Sequence, residues 1–174
     1  MAILEIIEAP HPVLSAKARK VNDSEFGADM YRFLQDMAET MYAAPGVGLA
    51  APQVGDGRRI IVADPGNDDG QAKRRLYMMV NPTIVEKSKK IIRYEESCLS
   101  VPEYSVIVKR HKRIKVTWQD AFGKPQSEWF EDFPAIVLQH EIDHLHGITI
   151  LDRASRFKRS RYMAKRKKAR RSLQ

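Results

Sequence analysis

The residues most capable of chemistry stand together in Gln139-His140-Glu141-Ile142-Asp143-His144. On a helix, side chains four positions apart share a face, so His140 and His144 can point at one metal ion while Glu141 acts on a water beside it. Ile136, Val137 and Leu138, just upstream, supply the apolar surface that would bury such a helix and hold the ligands rigid. Two imidazoles do not complete a catalytic site, which usually has three protein ligands and one open position. The downstream sequence offers no third ligand. The H-x-x-G-x-x-H extension of metzincin peptidases is followed as far as Gly147, but Ile150 stands where the third histidine belongs, and no glutamate follows His144. The third ligand is therefore expected upstream.

Cys98 is the natural candidate, set in Tyr94-Glu95-Glu96-Ser97-Cys98-Leu99-Ser100, where a strand gives way to a loop. A lone cysteine is commonly an inert buried hydrophobe, so the residue by itself leaves its role open. A third segment, Gly46-Val47-Gly48-Leu49-Ala50-Ala51-Pro52-Gln53, is dense in small residues that let another backbone come close. Its Gln53 carries a neutral amide able to donate to an oxygen. A phosphate-binding loop is excluded, because neither Lys-Ser nor Lys-Thr follows.

The elements that must position these groups are legible in outline. Met30, Leu34, Met37 and Met41 recur at helical spacing and predict a buried helix over about residues 26 to 42, with Asn22, Asp23 and Ser24 available as caps. Short β segments are expected at 60 to 64, 76 to 80, 105 to 109 and 113 to 118. Turn signals lie between them, at 65 to 70 and in a hairpin connection from Asp120 to Pro125. Asp132 and Pro134 announce the start of the histidine-bearing helix and Gly147 its end.

The 174 residues suit one domain without disulfides, since Cys98 is the only cysteine. The opening stretch, MAILEIIEAPHPVL, has acidic residues where a secretory signal would be positive, and no long apolar run occurs. A soluble cytoplasmic protein with no membrane partner is expected. The formal charge of +8 is unevenly spread: residues 153 to 171 hold seven Arg and four Lys and no acid, and removing those eleven charges leaves the rest at −3. Such a split points to a polyanionic partner for the tail alone.

Taken together, the three segments resemble the signature motifs of peptide deformylases: a G-x-G-x-A-A-x-Q loop, an E-G-C-L-S segment and H-E-x-D-H, in that order and with similar separations. The resemblance covers essentially the whole chain. It departs at Ser97, which takes the glycine position of E-G-C-L-S, and at Ser105, near where some members carry a peptide-contacting arginine. The implied fold is α+β, with mixed short β-sheets packed around a central metal-binding helix, an N-terminal helix and a basic C-terminal helix. It divides into a catalytic unit over residues 1–152 and an extension over 153–174.

The implied activity is removal of the formyl group from the N-terminal formylmethionine of nascent polypeptides by a metal-dependent hydrolase. By resemblance Cys98, His140 and His144 ligate the metal, and Glu141 moves the proton of the attacking water. Gln53 and the backbone N–H of Leu99 stabilise the oxyanion. Gly46, Val47 and Gly48 carry the substrate backbone, while Val47, Ile136 and Val137 receive the methionine side chain. Glu96 pairs with Arg110 to brace the site. Family members are similar in preferring Fe²⁺ and accepting Zn²⁺, Ni²⁺ or Co²⁺, and the C-terminal helix implies docking at the ribosome. Two competing readings are an endopeptidase, which shares water attack on an amide, and a nucleic-acid-binding module around a structural zinc. Against the second stand Glu141, which a structural ion does not need, and only three ligands where four are usual.

Overall fold

The computed structural model describes residues 2–66 and 74–173. After a short α1 (Pro12–Ser15), the predicted N-terminal helix forms as α2 (Ala28–Ala43), and its stripe is core: Met30, Leu34, Met37 and Met41 are all fully buried. Its expected caps are used elsewhere. Asn22 and Glu25 bracket a separate 3-10 turn, Asp23–Glu25, through a capping box, and α2 begins from Gly27 with no side-chain cap.

Among the described residues seven strands follow: β1 (Gly48–Ala50), β2 (Ile60–Ala63), β3 (Tyr77–Lys87), β4 (Ile91–Cys98), β5 (Val101–His111), β6 (Arg113–Gln119) and β7 (Pro125–Glu131). They build a five-stranded sheet in the order β1-β2-β3-β6-β7 and a two-stranded sheet β4-β5, every named pair antiparallel. The hairpin expected at Asp120–Pro125 joins β6 to β7. β3 runs well past the expected end at residue 80, because the register shifts between Val80 and Thr83 rather than stopping. Pro82 cannot donate to a ladder, and Asn81 adopts a positive φ of 53° while its side chain bonds Val21 N, Val21 O and Gln119. The turn-rich segment at 65 to 70 lies mostly outside the described residues.

α3 (Phe133–Leu145) carries the histidines and lies between the sheets, with Val137, Leu138, Ile142 and Leu145 in the main core beside Ile61, Met79, Ile114 and Val116. A helix apolar on nearly every side belongs in an interior. Asp132 precedes it at a positive φ of 58° and makes no side-chain cap, so the start rests on Pro134 and the surrounding packing. Gly147 ends it as expected, at φ 73°, where a Cβ would come within 2.5 Å of Ser15 O.

A short α4 (Ile150–Arg153) leads into the basic helix α5 (Arg156–Ser172). α5 docks through buried Tyr162, whose ring lies 4.8 Å from that of Tyr104 and whose hydroxyl donates to Pro102 O at 3.1 Å. Arg166 adds an ion pair to Glu8. Phe157, also on α5, is 75% exposed and takes no part in the docking. Among the described residues no helix is long and apolar enough to cross a membrane.

Candidate active site

Three elements meet around one point. α3 presents His140 and His144 on one face, the C-terminal end of β4 presents Cys98, and a 3-10 turn over Ala51–Val54 presents Gln53. One donor atom from each of Cys98, His140 and His144 falls within 4.8 Å of the other two. Cys98 Sγ lies 3.4 Å from His144 Nε2, and Gln53 Nε2 donates to the same sulfur at 3.6 Å and to Ser100 Oγ at 3.1 Å. Gln53 is itself fixed, since its Oε1 accepts from Ala50 N at 2.9 Å.

The histidines are held differently. His140 Nδ1 faces Glu96 Oε1 at 2.8 Å, which places its proton on Nδ1 and leaves Nε2 toward the cluster. Glu96 is buried, yet hydrogen bonds from Arg110 and His140 outweigh the cost of burial and hold its carboxyl below the ordinary range. Burial works against a charge on His140 too, but the neighbouring Cys98 sulfur and the Glu96 and Glu141 carboxylates hold it well above the usual imidazole value. His144 lies well below that value, through burial and the positive charge of His140 and Arg110. A neutral imidazole is the form that ligates metals. Burial pushes Glu141 up to about 7, and its Oε2 is buried without a hydrogen-bond partner among the described residues.

These groups line a cleft of about 370 Å³ that also includes Gly46, Val47, Gly48, Glu96, Leu99, Ile136 and Val137. His144 lies behind it, fully buried, and Arg110 braces Glu96 from outside through two bonds of 2.7 and 2.8 Å. Gly48 is required by close approach, for an added Cβ would sit 2.6 Å from Glu141 Oε1. The cleft mouth adds Tyr94, Glu95 and Phe133, with Tyr94 and Phe133 rings 5.5 Å apart, and sequence reasoning missed all three. It also missed Asp143, which accepts from Arg110 at 2.7 Å; an aspartate inside the histidine motif was the available signal. Ser97 stands within β4 opposite Ser105, outside the positive-φ region that would favour glycine, so the backbone there suits serine. Ser105 donates to Glu95 at 2.9 Å.

A family model described as Polypeptide deformylase matches residues 3–160. The chain belongs to the peptide deformylase family. A peptide deformylase from Desulfotalea psychrophila is 47% identical over 97% of both chains, and one from Brucella suis is 44% identical over 97% of this chain and 94% of its own. The crystal structure of peptide deformylase from Ehrlichia chaffeensis superposes with a TM-score of 0.91 at 35% identity, covering 99% of this chain and 100% of that one. Its complex with actinonin gives 0.89 at 36%, over 97% and 98%. The chain is accordingly a metal-dependent hydrolase that removes the formyl group from N-formylmethionyl peptides, and its α+β architecture is that of the family.

Proposed function

We propose that Cys98, His140 and His144 hold one divalent metal ion and that Glu141 is the general base, then the general acid, of deformylation. The observation that carries this reading is the convergence of a thiol and two imidazoles beside a buried carboxylate with a free oxygen. The donors suit such an ion: His144 is neutral, Glu96 keeps one proton of His140 on Nδ1 so that a bound cation would displace only the proton on Nε2, and a thiolate with imidazoles accommodates several first-row metals. Bound there, a cation supplies Lewis acidity, making water a stronger acid and drawing charge from the formyl oxygen. Fe²⁺ is the ion we assign in the cell, with Zn²⁺, Ni²⁺ or Co²⁺ able to replace it in purified protein.

Glu141 takes a proton from the water that attacks the formyl carbon. As the C–N bond breaks, it returns that proton to the departing nitrogen, leaving formate and a free N-terminal methionine. A pKa raised toward neutrality suits a group with both duties, although a nearby cation draws it back down. Gln53 Nε2 and the backbone N–H of Leu99 donate to the oxyanion, each contributing roughly 3 to 4 kcal/mol if typical of such donors. The peptide runs along Gly46, Val47 and Gly48 as a strand added to β1, which lies at the edge of its sheet. Its methionine side chain enters among Val47, Ile136 and Val137, with Arg110 and Glu96 bracing His140 from behind.

Residues 153–174 form an extension that brings the enzyme to ribosomal RNA and protein near emerging nascent chains, in the cytoplasm. Its charge and exposure support this, since α5 buries only Tyr162 and exposed Arg and Lys neutralise phosphates without regard to sequence. The test of the central reading is amine release from formyl-Met-Ala-Ser by anaerobically prepared enzyme loaded in turn with each metal. Turnover should be fastest with Fe²⁺ and absent from unformylated peptides with internal amides. Cleavage of those amides would point instead to an endopeptidase.

A further inference from the structure

Behind His140 the polar contacts run in one unbroken line to the surface. His140 Nδ1 donates to Glu96 Oε1 at 2.8 Å, and Arg110 grips both Glu96 oxygens, through Nη2 at 2.8 Å and Nε at 2.7 Å. The third side of that guanidinium, Nη1, donates to Asp143 Oδ2 at 2.7 Å. Asp143 then receives a second guanidinium: Arg153 donates through Nη2 to Oδ1 at 2.8 Å and through Nε to Oδ2 at 3.1 Å. Charges alternate along the line. Side-chain exposure rises outward, from 3% at Arg110 to 14% at Asp143 and 39% at Arg153. Arg153 is the last residue of α4, separated from the basic helix α5 only by Ala154 and Ser155.

Each link needs the next. A ligating imidazole is aimed by whatever holds its other nitrogen. Glu96 can do this only while Arg110 fixes both its oxygens, and Arg110 keeps its plane because Asp143 engages the remaining side. The terminal torsion of an aspartate is soft, so a carboxylate held at one point can rotate. Arg153 removes that freedom with a two-point grip, the geometry in which guanidinium and carboxylate match best. Arg153 is too exposed for its charge to matter much at a distance, so its influence is geometric.

We propose that Arg153 is a positioning residue for the metal centre: through Asp143, Arg110 and Glu96 it fixes the His140 ring, and so ties the root of the basic helix to the grip on the metal. The proposal rests on the reading of His140 as a ligand. A lysine would not substitute, since one ammonium cannot span both carboxylate oxygens.

The test is the rate at which bound metal passes to excess chelator, well below the unfolding temperature, for wild type and for Arg153→Ala, Arg153→Lys, Asp143→Asn and His140→Ala. Tm of each metal-free protein and separate kcat and KM values accompany it. Arg153→Ala and Asp143→Asn should release metal roughly tenfold faster than wild type, the low end for partners that orient a ligating histidine. Lysine should restore little of the lost rate, and KM should stay unchanged. A wild-type release rate in Arg153→Ala, with fast release in His140→Ala, overturns the proposal and leaves the ligand assignment standing. The same holds if only the metal-free Tm falls, which would make Arg153 a simple clamp between helices. Full metal retention by His140→Ala would instead overturn the ligand assignment itself.

Discussion

At position 48 one added methyl group would meet Glu141 Oε1 at 2.6 Å and its Cδ and Cγ at 2.9 Å, closer than atoms can stand, so the buried side chain must shift as a whole. Gly48→Ala should therefore displace Glu141 and lower kcat by on the order of a hundredfold while the protein stays folded, because misplacement by about 1 Å can cost that much. Kinetics beside a thermal melt check this, and unchanged kcat would remove Glu141 from the path of the proton. The same carboxylate dictates an acid limb. Its pKa is raised to about 7 by burial, a bound cation lowers it, and the base must be unprotonated, so kcat/KM should fall with decreasing pH through a midpoint at or below about 7. A pH–rate profile tests it, and a midpoint that persists in Glu141→Gln would belong to another group. At this scale much was legible in the sequence. The spacing of His140 and His144 dictates a shared helix face, and Cys98 was the sole thiol. Tyr94 and Phe133 were not legible, because their roles arise from neighbours supplied by other elements, and Asp143 showed only as an aspartate within the motif, its partner Arg110 lying on another strand.

The α2 stripe shows why element cores read well and element ends do not. Leu34 is fully buried among Met30, Met37 and Met41, as helical spacing demands. Leu34→Ala should destabilise by about 2 to 5 kcal/mol, measurable by denaturant unfolding, with the site's metal affinity unaltered. The start of α2 was misread because Asn22 and Glu25 satisfy each other across the preceding 3-10 turn. That turn carries its own signature. Glu25 is held down to about 2, first by the hydrogen bond from Arg19 and then by the backbone of Asn22, against an ordinary value of 4.5. A depressed carboxylate stabilises above its unfolded pKa, and that stability is lost as pH falls through its folded value. The difference in Tm between wild type and Glu25→Gln should hence shrink as pH falls from 4.5 toward 2. A constant difference would mean that the pair does not depend on ionised Glu25. β1 and β7 escaped prediction for another reason: the three residues of β1 are too few to show a period, and β7 buries only Phe130, so neither carries an alternating apolar signal of its own.

For the molecule as a whole, two antiparallel sheets enclose one helix, and a basic helix hangs on the outside by Tyr162 and Arg166. The charge division between body and tail was legible from composition; that docking runs through Tyr162 and leaves Phe157 in solvent depends on the Pro102 and Tyr104 surfaces it meets. Truncation after Arg166 keeps both anchors and removes Lys167, Lys168, Arg170 and Arg171. It should leave turnover of formylated tripeptides intact and weaken ribosome binding, most visibly at low salt. Equal binding by both forms would remove the docking role. The most direct test of the central claim pairs metal content with turnover of formyl-Met-Ala-Ser in two variants. Glu141→Gln should retain about one metal per chain while losing a hundredfold or more in kcat, and Cys98→Ala should lose both metal and activity. Stoichiometric metal with unchanged kinetics in Cys98→Ala, or wild-type turnover in Glu141→Gln, would contradict the account.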